Sequence, residues 1–322
     1  MDKSEIDDEI LQQLKKLSEK YDVMGQDLSS YLDGLLYSDY LTYWDYIHLD
    51  TLLSLQSPRT SFPDEKIFII YHQITELYFQ LILHELQQIC ENIQDEQEFI
   101  SKLKRINNYF RHLVDSFEIM QDGMEREQFL KFRMSLLPAS GFQSVQYRQI
   151  EIHSTDAPNL THINGREDFD SYTPEDELYD NLYWKSGATE LATGKRTLTL
   201  NQFDDHYSEK LIDLIKEYRQ KNVCRGFHKH YVGKPYSSEL KDLLREYDLL
   251  ANVHWPLAHY KSAVRYLQRD TDVISATGGT NWQKYLPPRY QRVQFFPSLW
   301  TEQETAEWGK GWVMKEVFKE KA

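Results

Sequence analysis

IFIIYHQITELYFQLILHEL, residues 67–86, is the stretch whose reading decides the fold. Apolar residues recur at helical spacing round most of its circumference, which predicts one long helix in the protein interior. The pattern carries on to about Ile93. At ~100° per residue, His72, Glu76, Gln80 and His84 fall within an arc of roughly 120°. A polar stripe led by a histidine, on a helix meant for a core, has to face something.

Working outward, the helix has a clear start. Ser61, Pro63 and Asp64 supply a cap, an early proline and an acid three residues past the cap. Before it, residues 37–55 read YSDYLTYWDYIHLDTLLSL, crowded with rings that suit packing, an interface or a pocket with one wet end. Residues 1–36 form an amphipathic N-terminal arm, with Ile6, Ile10, Leu11, Leu14 and Leu17 in helical period. After the central stretch, periodicity predicts helices over 96–118, 124–137 and 142–153, the second stopped by Pro138. Residues 154–205 lose it and read as an irregular excursion with one short helix over 175–184; segments of this length inside a domain are usually functional. Helices resume over 206–221 and 237–269, the latter kinked by Pro256. The expected architecture is all-α, with residues 1–322 forming a single domain.

Composition narrows the possibilities. The 322 residues are 40% hydrophobic and 14% aromatic, ample for a large core. Thirty-seven basic against 51 acidic side chains give a formal charge of −14, which repels nucleic acid and anionic membrane. Two cysteines, Cys90 and Cys224, make no disulfide framework and point to a cytoplasmic, reduced location. The start MDKSEIDDEI has no leader character, and no run is apolar enough to cross a bilayer.

Local motifs do not assign a chemistry. There is no nucleophile elbow, phosphate loop, dinucleotide fingerprint or HExxH. His72 and His259 both fall on expected buried faces, where a histidine is more often core than ligand. Glu-x-x-His pairs for a di-iron bundle are absent. A single proximal histidine holding haem stays open beside core packing. Arg133, in FLKFR, carries a fork suited to a carboxylate, though from the residue alone a surface ion pair is the better reading.

Four blocks in order change that balance: YWDYIHLDTLLSLQ (43–56), DEKIFIIYHQITELYFQLILHEL (64–86), FLKFRMSLLPASGFQSVQYRQIE (129–151), and His259 and Arg265 followed by ATGG at 276–279. Together they resemble the tryptophan 2,3-dioxygenase family. The resemblance implies an all-α protein holding haem b (iron protoporphyrin IX), assembled as a homotetramer. Such a protein inserts both atoms of O₂ across the indole C2–C3 bond of L-tryptophan to give N-formylkynurenine. Carried over by residue, it implies that His259 is the proximal iron ligand and His72 the distal histidine that meets the indole N–H. Arg133 is implied to grip the substrate carboxylate and Thr277 its ammonium and carboxylate, with Ser140 nearby. Phe68 and Phe129 become indole walls, and Tyr43, Tyr46 and Ile47 residues lent to a neighbouring subunit's site. The chain departs from the family in reading ATGGTNW where GTGGSSG is usual, and in placing Phe117 where a tryptophan is common. Those departures keep two alternatives alive: a haem oxygenase of another indole, and a haem-binding protein without turnover.

Overall fold

Helices carry nearly all the regular structure. The computed structural model describes residues 8–37, 42–136, 141–189, 195–269, 272–273 and 288–309. The chain divides into two compact units, Met1–Leu55 and Gln56–Ala322.

The first unit holds α1 (Asp8–Val23), α2 (Leu28–Tyr37), α3 (Tyr43–Tyr46) and α4 (Leu49–Ser54). The periodicity expected for the arm is present in α1, yet no residue of α1 is buried. Leu35, Leu36, Tyr43, Trp44, Tyr46, Leu53 and Leu55 are likewise exposed.

The second unit is built on α5 (Asp64–Glu91) and α6 (Glu96–Asp122), packed along one another. Asp95 starts α6 by accepting the N–H groups of Gln97 and Glu98, both at 3.0 Å, which satisfies two otherwise orphaned donors. Between the two helices the buried Glu85 faces Arg105 at 3.2 Å and Lys102 at 3.9 Å. Then come α7 (Arg126–Phe132), a 3₁₀ turn at Arg133–Leu136, and α8 (Val145–Ser154), which packs on α5. Ser144 caps α8 through the Tyr147 N–H.

The irregular excursion is confirmed, as 3₁₀ turns at Ala157–Leu160 and Ile163–Asp168 and two short helices. The single helix expected over 175–184 is α9 (Glu175–Asp180) and α10 (Tyr183–Gly187), because Asn181 and Leu182 close one turn before the next begins. The following α11 (Leu198–Tyr218) begins eight residues before the expected 206, capped by Thr197 accepting from Leu200 N–H. The polar residues of its first turns hid that start. An unexpected α12 (Val223–Tyr231) follows, capped by Asn222; a Cβ on its Gly226 would lie 2.6 Å from the Ile93 side chain, which would have to move to admit a larger residue.

The expected 237–269 helix is interrupted. It comprises α13 (Ser238–Leu249), a π turn at Leu250–His254, and α14 (Trp255–Leu267), followed by a two-residue ladder in which Gln268–Arg269 pairs with Asp272–Val273. Asn107 ties α6 to α13 by donating to the Leu243 carbonyl at 3.1 Å. The core is formed by Phe79, Ile82, Leu86, Leu103, Ile106, Phe110, Ile150, Leu211, Phe227, Leu244 and Tyr247 among others.

The central helix needs one correction. Only one side of α5 is covered, through Tyr71, Thr75, Phe79, Ile82, Leu83, Leu86 and Ile89. Ile70, Ile74, Leu77 and Leu81 are exposed, as are His72, Gln80 and His84 of the polar stripe. The apolar circumference read from sequence therefore exceeds what this chain's own core covers. Glu76 turns to α8 and takes Gln146 Nε2 on both its carboxylate and its carbonyl, each at 2.9 Å.

Candidate functional site: two facing histidines in an aromatic belt

A second, smaller apolar cluster gathers Tyr71, Phe117, Met120, Met124, Phe132, Ala258 and Tyr266, with Phe68, Phe129 and Trp255 packed against it. His72 and His259 enter at this cluster, one from α5 and one from α14. The Phe68 ring lies 4.0 Å from that of His72, and Tyr71 meets His72 edge-on at 5.7 Å. Tyr71 also contacts Phe117, whose ring is stacked on His259 at 5.8 Å and 24°. Trp255, one turn before His259, closes on the same Phe117 at 4.6 Å. Helix α7 supplies Phe129, 6.3 Å from Phe68, and Phe132, 5.9 Å from it.

The protonation of both imidazoles follows from this setting. The Nδ1 of His72 is 2.7 Å from the Phe68 carbonyl oxygen. A carbonyl oxygen only accepts, so Nδ1 carries the proton and, in the neutral ring, Nε2 is left as an acceptor. Burial lowers the His72 pKa, against the raising effects of that hydrogen bond and of Glu76. The His72 side chain itself stays exposed to solvent. Burial brings His259 down to about 4, and His72 contributes to the lowering. Both shifts favour the uncharged ring. Among the described residues, no hydrogen-bond partner of the His259 ring is found, and its orientation comes from aromatic packing.

Arg133 opens the 3₁₀ turn after α7 and is buried, one helical turn beyond Phe129. Burial lowers the pKa of its guanidinium, so an anionic partner would favour the charged form.

Of the residues singled out in the sequence, His72, Phe68, Phe129 and His259 come together at one cluster, and Arg133 follows on the element that delivers Phe129. Tyr43 and Tyr46, exposed, and Ile47, half-buried, belong to the first unit. Ser140 and Thr277 lie outside the described residues. Sequence reasoning missed Tyr71, Phe132, Trp255 and Tyr266 as members of the belt. The available signal was position: Tyr71 adjoins His72, and Trp255 precedes His259 by one helical turn.

The donor set fits haem. Among the described residues, no group of three or more His, Cys, Asp or Glu is disposed to hold a metal ion. His259 offers one imidazole with apolar walls around it, the kind of donor a haem iron takes from a protein. His72 brings a second imidazole to the same cluster, with its Nε2 left as an acceptor.

Fold and site thus define an all-α protein in which histidines from two separate helices meet at one aromatic cluster. Comparison with known proteins takes the assignment further. The tryptophan 2,3-dioxygenase family profile matches residues 34–182. A tryptophan 2,3-dioxygenase of Ruegeria sp. is 30% identical over 278 residues, covering 82% of this chain and 92% of that protein. One from Herpetosiphon aurantiacus is 29% identical over 274 residues, covering 82% of this chain and 97% of its own length. One from Bacillus anthracis is 29% identical over 276 residues. The chain belongs to the tryptophan 2,3-dioxygenase family. No helix among the described residues is long and apolar enough to cross a membrane.

Proposed function

We propose that this chain is a haem b-dependent tryptophan 2,3-dioxygenase that converts L-tryptophan and O₂ to N-formylkynurenine, opening tryptophan catabolism by the kynurenine pathway. The observation that carries this reading is the meeting of His72 and His259, from two helices, at one aromatic cluster, with burial lowering the pKa of each. Haem, when bound, supplies the iron at which O₂ is activated. The balance is simple: both oxygen atoms enter the product, the indole C2–C3 bond breaks, and nothing leaves.

The protein's own contribution is to bind, orient and keep neutral. His259 ligates as a free imidazole, since burial removes competition from protons. His72 presents Nε2 to the indole N–H, because Nδ1 is held by the Phe68 carbonyl. Phe68 and Phe129 form apolar walls that fix the ring plane, so positioning lowers the barrier. Arg133 pairs with the substrate carboxylate, a charge-assisted contact that its burial strengthens. By the family's pattern Thr277 and Ser140 complete the amino-acid end, and Tyr43, Tyr46 and Ile47 serve a neighbouring subunit's site. The uncovered apolar residues of the first unit and of α5 support a homotetramer. A cytoplasmic location suits the two free thiols, Cys90 and Cys224.

The test is anaerobic reduction of the haem-loaded protein, followed by L-tryptophan and O₂, with N-formylkynurenine followed by its absorbance. Product from L-tryptophan is expected. Product only from 3-methylindole would replace this reading by an oxygenase of simpler indoles, and haem binding without product from any indole by a non-catalytic haem protein.

A further inference from the structure

The helix that bears His259 is not a plain α-helix, and the reason lies three residues before the histidine. At the π turn Leu250–His254, the Trp255 N–H bonds the Leu250 carbonyl, five residues back. In the same register the next bond would run from residue 256 to the carbonyl of Ala251. Residue 256 is proline and has no N–H to give. The Ala251 carbonyl is buried, and its oxygen takes a hydrogen bond at 2.8 Å from the hydroxyl of Tyr147, a residue of α8 that is itself buried.

We propose that Tyr147 is a positioning residue: its hydroxyl stands in for the amide Pro256 lacks, holding the π turn that sets the direction of His259. The inference rests on the reading of His259 as iron ligand. A π turn inserts one residue into the helical register, so every side chain beyond it projects differently from its place on an uninterrupted α-helix. Trp255 and His259 both ride on that shifted phase, and both meet Phe117. The ring of Tyr147 is fixed as well as its hydroxyl. It packs on Phe79 at 5.3 Å, and Phe79 in turn meets Trp255 edge-on at 5.7 Å. The turn has a second tie, because Asn252 donates to the fully buried Asp248 at 2.8 Å. Asp248 therefore holds a side chain of the turn, whereas Tyr147 satisfies its backbone.

The test compares the haem-loaded wild type with Tyr147→Phe and with the double variant Tyr147→Phe/Pro256→Ala, which restores a backbone donor in place of the lost hydroxyl. Three measurements are made: haem transfer to apomyoglobin, the iron–histidine stretching band of the ferrous protein, and amide hydrogen exchange of residues 250–258. An unmet buried carbonyl costs about 1–3 kcal/mol, so Tyr147→Phe should lose haem roughly tenfold faster or more. Its iron–histidine band should move and the turn amides should exchange faster, with the double variant returning toward wild type in all three. A general loss of packing would lower thermal stability in both variants and leave the band in place. Unchanged band and exchange in Tyr147→Phe, or a double variant no better than the single one, would overturn the inference. Exchange of the turn amides is read without haem too. A His259→Ala protein that kept the wild-type band would thus remove the ligand reading alone, leaving the role of Tyr147 in the turn to be judged on exchange.

Discussion

Phe117 lies nearly parallel to His259, ring centroids 5.8 Å apart at 24°, and so holds the imidazole by its face. Metal-bound histidines are usually aimed by a hydrogen bond to the second ring nitrogen, which also makes the ligand more basic. Here a face contact does the aiming. Phe117→Leu keeps an apolar side chain but surrenders the stack. We expect haem loss several-fold faster, with the KM for L-tryptophan little changed. Haem transfer to apomyoglobin and steady-state kinetics check this together. His259→Ala should abolish haem retention, seen as loss of the Soret band.

His72 is held with Nε2 as its acceptor, which gives it a defined chemical signature. His72→Ala should lower kcat/KM for L-tryptophan by about tenfold to a hundredfold, the scale of a lost hydrogen bond to a positioned substrate. The sharper readout is discrimination. The wild type should prefer L-tryptophan to 1-methyl-L-tryptophan, which has no indole N–H, and His72→Ala should lose that preference. An unchanged preference would remove the role.

Arg133 is tested by deleting its partner instead of its neighbours. Arg133→Ala should raise the KM for L-tryptophan by about tenfold or more, since a charge-assisted contact is worth about 1.5–3 kcal/mol. Tryptamine, which lacks the carboxylate, should be used equally by the variant and the wild type. A KM for L-tryptophan that did not move would refute the contact.

His153 predicts how stability varies with pH. It is buried in α8, donating from Nδ1 to the Gln149 carbonyl at 2.7 Å, with its ring 3.9 Å from that of Tyr218. Burial brings its pKa down to about 4; Glu217 opposes the shift and Lys221 assists it. The unfolded chain, with a pKa near 6.5, takes up this proton first, so stability is complete above about pH 6.5 and falls toward pH 4. The slope from one such group approaches about 1.4 kcal/mol per pH unit. Asp248, raised to about 6 by burial, acts in the opposite direction between its ordinary pKa and 6. His153→Phe should flatten the acid side of the apoprotein's stability curve, measured by urea unfolding at pH 7, 6 and 5. An identical curve would place the acid sensitivity elsewhere.

The helices with strong apolar period were legible in the sequence. The start of α6 and the irregular stretch after α8 needed only pattern and breakers, whereas the π turn at Leu250–His254 stands where Pro256 suggests a kink. Less legible was anything decided across elements. Helix α11 begins at Leu198 because Thr197 caps it, while the polar run Asn201, Asp204, Asp205 gives no apolar period. Helix α12 is short, with its Gly226 set against the Ile93 side chain. In the site, family blocks indicated His72 and His259 and marked Phe117 as standing where a tryptophan is common, but no linear pattern showed that Phe117 would stack on His259 or that Tyr147 would meet Ala251. Those contacts depend on how α5, α6, α8 and α14 pack, and a sequence read one element at a time contains no such distances.

Asp248 accepts the backbone N–H groups of Phe295 and Phe296 and the indole N–H of Trp300, at 2.8, 3.1 and 2.8 Å. It sits at the end of α13, and α14, which leads out to the segment bearing Thr277, is the continuation of that same helix. The same carboxylate accepts Asn252 of the π turn at 2.8 Å. One buried group thus ties the chain at 295–300 to the turn that precedes His259, and a substitution at Trp300 would reach that histidine through the helix and not through the aromatic cluster around it.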